Sequence, residues 1–190
     1  MFANFNRFRK DIRIKNKHTE KAVLTRGARS NATNFKSNFV FTALLEEHTH
    51  LENGDVFTAD VNGDQKVFLT ISVRHADTSI QATCYACNGY IDIFRPTKIY
   101  DRFDNLTDTK LKYIESVPTN HMTISGYMRM LDSGLLPSTT KEFRVPVCNI
   151  QLLDRIVIDG EFYCVDSIDR TKFDNLLAIQ ASIDNRNLHD

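Results

Sequence analysis

Glu46, His48, His50 and Glu52 fall at every second position, so an extended strand would turn all four to one face. Leu45, Glu47, Thr49 and Leu51 would take the other face. Imidazole and carboxylate together make a ligand set for zinc or a similar ion. The competing reading is a solvent-facing strand face above a Leu45/Leu51 underside, and that is the expectation. Glu46, His48 and His50 are kept as metal candidates, with no metal or cofactor assigned. Cys84-x-x-Cys87 has half the spacing of a zinc ribbon, but Cys148 and Cys164 lie 16 apart and supply no second pair. Residues three apart on a strand also point to opposite faces, so four free, half-buried thiols are expected. Disulfides are not expected, because the polar, basic N-terminus does not read as a secretion signal.

Catalytic arrangements are not found in the sequence. There is no Gly-rich phosphate loop, no G-x-S-x-G elbow and no H-E-x-x-H pair. Of six histidines, His18, His121 and His189 sit in segments without a neighbouring nucleophile. Asp166 and Asp169 flank hairpin turns, where capping loop N–H groups is the ordinary role. The chain is not expected to be an enzyme.

Charge is unevenly distributed. The chain carries 24 basic and 24 acidic residues, yet residues 1–40 hold ten basic and two acidic ones, a charge of +8. The remainder carries 14 basic and 22 acidic residues, or −8. Phe2, Phe5 and Phe8 interleave with Arg7, Arg9, Lys10 and Arg13, a pattern suited to phosphate neutralisation with base stacking. The same residues suit a basic arm docking on the acidic body of a neighbouring copy, and this second reading is preferred. Arg7, Arg9, Lys10, Arg13, Lys15 and Lys17 are the expected inter-subunit or DNA contacts, and a heterologous contact of this kind closes into a ring where the rotation permits.

The elements that must position these residues are mostly strands. Val, Ile and Thr make up 43 of 190 residues, with 13 Phe and six Tyr, and such side chains suit a pleated, half-buried surface. Asn62-Gly63 and Asp159-Gly160 each join two strand-like runs and accept the positive φ of a type I′ turn. Strands are expected at 55–61, 67–73, 80–87 and 90–94, the last stopped by Pro96, and again at 154–158, 162–168 and 177–183. From Asp55 to Ile80-Gln81-Ala82 and from Asp154 to Ile179-Gln180-Ala181 the distance is 25 positions, which suggests an internal repeat once a four-residue gap is allowed, with two ordinary β-meanders as the other reading. Short helices are expected at 107–116 and 120–131, and Pro146 on an edge strand. The expected plan is a mainly β chain, a small β-barrel or β-sandwich built from two hairpin-led modules. Residues 1–40 form a basic arm, 41–100 a first module, 101–144 a helical or loop connection and 145–190 a second module, with 41–190 as one folded body. No apolar run approaches the roughly 18 residues of a membrane span, so a soluble chain made inside the cell, with no membrane partner, is expected.

The stretch Gly134-Leu135-Leu136-Pro137-Ser138-Thr139-Thr140, with Phe143-Arg144-Val145-Pro146, Leu153-Asp154-Arg155-Ile156 and Tyr163-Cys164-Val165-Asp166-Ser167-Ile168-Asp169, resembles neck proteins of tailed bacteriophages. Ile179-Gln180-Ala181-Ser182-Ile183-Asp184 and, in the first module, Gly54-Asp55-Val56-Phe57 and Ile91-Asp92-Ile93-Phe94-Arg95 extend the resemblance over residues 41–190. The class it is most similar to is the head-completion or head–tail connector type, the stoppers. The resemblance implies a virion protein assembled in the host cytoplasm as a homo-oligomeric ring between portal or adaptor and tail. It would contact tail terminator or other tail proteins and the packaged double-stranded DNA of the channel, closing the filled head and docking the tail. Ser133, Gly134, Pro137, Ser138 and Lys141, or the 101–120 connection, are then the expected lumen or inter-ring segments. Stoppers are usually one compact barrel, and this longer chain leaves two alternatives: another tail or baseplate ring component, or a nucleic-acid-binding β-barrel of the oligonucleotide-binding-fold type.

Overall fold

The structure, a computed structural model, describes residues 8–26, 39–76, 79–131, 134–186 and 188. The chain is mainly β and divides into two compact units, Met1–Asn88 with Arg170–Leu176, and Gly89–Asp169 with Leu177–Asp190. Each unit contains a closed six-stranded antiparallel barrel. Within each barrel wall, closure gives every strand a neighbour on both sides and removes sheet edges that would template aggregation.

The first barrel is made of β1 (Lys10–Ile14), β2 (Thr19–Arg26), β3 (Val40–Leu45), β4 (Val56–Val61), β5 (Asp64–Ala76) and β6 (Ser79–Ala86). Around the wall the order is β1-β2-β3-β6-β5-β4, and the ladder Ile12↔Ala59 and Ile14↔Phe57 closes it. Inward positions alternate along each strand, which places Ile12, Ile14, Phe41, Ala43, Leu45 and Phe57 in one buried cluster. Phe57 stacks on Phe68 at 5.0 Å, and Phe41 meets Phe68 edge-on at 5.2 Å.

The second barrel follows as β7 (Gly89–Tyr100), β8 (Leu106–Thr123), β9 (Lys141–Pro146), β10 (Arg155–Ile158), β11 (Glu161–Asp169) and β12 (Leu176–Ile183), with one helix, α1 (Gly126–Leu131), between β8 and β9. Its wall order, β10-β11-β12-β9-β8-β7, is the wiring of the first barrel read in the opposite sense. In both, three strands form a meander, the next three form another, the third meets the sixth and the first meets the fourth. The two turns with positive φ at both central residues, Asn62-Gly63 (59° and 91°) and Asp159-Gly160 (51° and 79°), occupy equivalent hairpins. Each following ladder also carries a bulge at the same place, between Thr70 and Ser72 in one barrel and Val165 and Ser167 in the other. The repeat suggested by sequence spacing is therefore a repeat of whole barrels. Its register differs from the sequence match: Thr70 pairs Cys84 while Val165 pairs Ala181, so Ala82, not Ile80, is the counterpart of Ile179.

Three expectations are corrected. Residues 10–26 are not an arm but β1 and β2, two walls of the first barrel; residues 1–7 and 27–38 lie outside the described residues. A barrel strand needs an apolar side chain only at alternate positions, so Ile12 and Ile14 are buried while Asp11, Arg13 and Lys15 face outward and make the segment look like a charged tether. The helices expected at 107–116 and 120–131 are largely β8, and only Gly126–Leu131 is helical. The ladder passes from Ile93↔Glu115 to Phe94↔Tyr113, leaving Ile114 as a bulge. One extra residue converts the period of two into the three-residue Leu111–Ile114 spacing that mimics a helix. Finally, β7 opens the second barrel and continues past Pro96 to Tyr100, so the first unit ends near residue 88 rather than 100. Pro96 is tolerated because β7 has only β8 beside it there.

Candidate assembly surface

The β7–β8 pair does not stop at the barrel wall. β7 pairs β10 only over Asp92–Phe94, and β8 pairs β9 only from Asn120 to Thr123. From Arg95↔Lys112 to Tyr100↔Leu106, among the described residues, the two strands have only each other. At about 3.4 Å per residue this is a ribbon roughly 20 Å long. It carries Ile99, Tyr100, Phe103 and Leu106, all exposed, with Phe103 the most open at 69%, and the exposed Tyr113 stands at its root.

Such a ribbon is marginal alone in water, and this one is fixed at both ends. At its root, Arg95 on β7 donates to Asp154 through Nε (3.0 Å) and Nη2 (2.9 Å) and to the Asn149 carbonyl (3.0 Å). Glu115 on β8 accepts the Asn149 amide at 2.7 Å, so both strands hold the same 149–154 loop. At its tip the Asp101 carboxylate accepts the amides of Phe103 (2.7 Å) and Asn105 (2.9 Å). Those bonds, led by the Asn105 amide, hold the carboxyl of Asp101 below its usual range. Arg102 lies over the Phe103 ring at 4.7 Å. The ribbon thus presents apolar and aromatic side chains, along with two backbone edges unpaired among the described residues, on a stiff base. That combination suits protein docking by strand addition or by packing on a neighbour.

The basic residues singled out in the sequence are placed differently from that reading. Arg9 meets Glu46 at 2.6 Å, Lys10 donates to the Asp60 carbonyl at 2.8 Å, and Lys17 reaches Glu52 and Asp55, each at 2.9 Å. Part of the +8 is thus met within the same barrel. Arg13 is exposed on the outer face of β1 and Lys15 in the turn that follows it, and Arg7 lies outside the described residues.

The 134–140 loop is drawn onto its own barrel. Arg129 of α1 donates to the carbonyls of Leu136, Pro137 and Thr139. Gln180 of β12 accepts from the Leu136 amide (2.9 Å) and donates to the Gly134 carbonyl (3.0 Å). Pro137 and Ser138 are exposed at the crest of this braced loop, whereas Lys141 is on β9, bonded to Glu161 at 3.1 Å. Ser133 lies outside the described residues.

The His/Glu candidates do not share a strand face, because β3 ends at Leu45 and residues 46–55 form a loop. Glu46 is taken by Arg9, and His50 turns instead toward His18 and Glu20. Neither of those partners was singled out as a ligand, because contacts across some 30 residues leave no spacing signal. Cys84 lies in the first barrel's core and Cys87 packs against a separate cluster of Val56, Leu69 and Leu176. Burial pushes both thiols up to about 12, which makes them poor ligands and poor nucleophiles at neutral pH. Among the described residues no helix is long and apolar enough to cross a membrane. A scan against protein-family models and a search of curated proteins both return no match to this chain.

Proposed function

We propose that this chain is a structural subunit of a phage neck, a non-enzymatic protein that assembles with its own copies into a ring between portal or adaptor and tail. The ring closes the DNA-filled head and docks the tail. The observation that carries the assembly half of this reading is the β7–β8 ribbon, whose exposed Tyr100, Phe103 and Leu106 are held on a base clamped by Arg95 and Glu115. Closed barrels supply stiff, edge-free bodies, and the ribbon supplies an extended feature that a neighbour can pack against. The neck location rests on the resemblance in sequence over residues 41–190. Light scattering and negative-stain imaging of the purified full chain, without nucleic acid, test the assembly. The reading expects a closed oligomer. A monomer that binds single strands with an affinity falling steeply with salt would replace it with the nucleic-acid-binding alternative.

A further inference from the structure

His18 lies in the turn between β1 and β2, Glu20 on β2, and His50 in the loop after β3. Their ligand atoms come within 4.8 Å of one another. His18 Nε2 is 3.1 Å from His50 Nδ1, which is 2.9 Å from Glu20 Oε1. Ligands bound at roughly 2.0–2.1 Å on a tetrahedral ion stand about 3.3 Å apart, and both separations need open by only a few tenths of an ångström to reach that spacing.

The two contacts also compete for one nitrogen. A hydrogen on His50 Nδ1 cannot point at Glu20 and at His18 together. If Nδ1 instead accepts a hydrogen from His18, its lone pair faces the carboxylate at 2.9 Å. A cation among the three atoms gives each lone pair a use. We propose that His18, Glu20 and His50 form a binding site for a divalent transition metal of the zinc class, which pins the 46–55 loop to the β1–β2 turn.

The surroundings orient the ligands. Glu20 Oε2 accepts the Thr49 hydroxyl at 2.6 Å, and Oε1 accepts the His50 amide at 2.8 Å. Burial opposes the charge on Glu20, but these hydrogen bonds outweigh it and keep the carboxylate ionised. Outer partners of this kind fix a ligand's direction and are part of a metal site's design. Two imidazoles with one carboxylate select zinc and its neighbours over calcium or magnesium, which prefer all-oxygen shells. Three protein ligands leave further coordination open toward the recess that His48 and Glu46 also line. The loop and turn are already joined by Lys17, which donates to the His50 carbonyl at 2.8 Å, so the ion would reinforce an existing contact.

The test uses the full chain, stripped with a chelator and titrated with Zn²⁺ by calorimetry, then with Co²⁺ by visible absorption. One ion per chain is expected, with ligand-field bands and no thiolate charge-transfer band. His18→Gln, Glu20→Gln and His50→Gln should each weaken Zn²⁺ binding by at least about tenfold, and His75→Gln on β5 should leave it unchanged. If a ligand variant fails to fold, Thr49→Val serves instead, because it removes only the hydroxyl that orients Glu20, and about tenfold weakening is expected. Absence of a saturable single site, retained affinity in His18→Gln and His50→Gln, or a thiolate band assigning the ion to cysteine would each overturn the proposal.

Discussion

Asp55 in the first barrel and Asp154 in the second hold the same turn. Each carboxylate accepts, at 2.8 Å, the amide three residues earlier, from Glu52 and Gln151 respectively. Each follows a residue of positive φ, Gly54 at 86° and Leu153 at 67°, whose amide bonds Thr70 in one barrel and Val165 in the other. Each also receives a cation from the first hairpin of its barrel, Lys17 or Arg95. The shared detail, down to the bulge that follows, is what two copies of one ancestral barrel would retain. In the second barrel the first hairpin is extended into the ribbon.

The two aspartates differ in burial, and the cost of removing each should differ accordingly. Asp154 is nearly inaccessible and takes two bonds from Arg95, so Asp154→Ala should cost about 3 kcal/mol. Asp55 and Lys17 are partly exposed, and Asp55→Ala should cost about 1 kcal/mol. Urea unfolding of both variants measures the difference. Equal losses would mean that the Arg95 clamp adds nothing to the turn.

Backbone conformation makes a second comparison possible. A Cβ on Gly54 would stand 2.3 Å from the Asn175 carbonyl oxygen, in addition to the strain of φ +86°, whereas one on Gly63 meets nothing within 4 Å. Gly63→Ala should therefore cost about 1 kcal/mol and Gly54→Ala distinctly more. The counterpart of Gly54 is Leu153, whose side chain is exposed, so Leu153→Gly should stabilise the chain by roughly 0.5 kcal/mol. Denaturation midpoints at a fixed slope check all three.

Acid sensitivity should centre on Asp184. Burial of this carboxylate disfavours its charge, but bonds from Arg186 and from Arg155 at 2.8 Å outweigh that and hold it well below the usual range. A folded value below the unfolded one means the contribution is full above about pH 4 and is lost as pH falls further. Asp184→Asn should lower stability at neutral pH by about 3 kcal/mol and flatten the decline at acid pH. A pH series of unfolding curves reads both effects, and an unchanged acid slope would remove Asp184 from the account.

Assembly should depend on the ribbon and not on barrel stability. Replacing Tyr100, Phe103 and Leu106 together by Ser should shift the light-scattering mass from oligomer to monomer while leaving the circular dichroism of the barrels intact. An oligomer of unchanged mass would place the interface elsewhere.

Parts of this fold were legible in the sequence for a local reason. Asn62-Gly63 and Asp159-Gly160 declare themselves because only a few residue types accept positive φ, and the strands around them alternate cleanly. The first two strands hid because Ile12 and Ile14 are the only inward apolar residues of β1, among outward charges. The ribbon hid behind the Ile114 bulge, which gave β8 a helical period. The His18–Glu20–His50 cluster had no local signature, since the pairing of β2 with β3 and not sequence spacing brings its members together. The ion pairs of Arg9, Lys10 and Lys17 were likewise invisible, and a charge count alone assigned them to partners outside the barrel.

The central claim is most directly tested by quantitative mass spectrometry of purified phage particles from cells that make this chain. The account predicts the chain in mature virions, at a low fixed copy number equal to one ring and lost together with the neck when tails are detached. Particles that lack the chain, while infected cells contain it, would contradict the account.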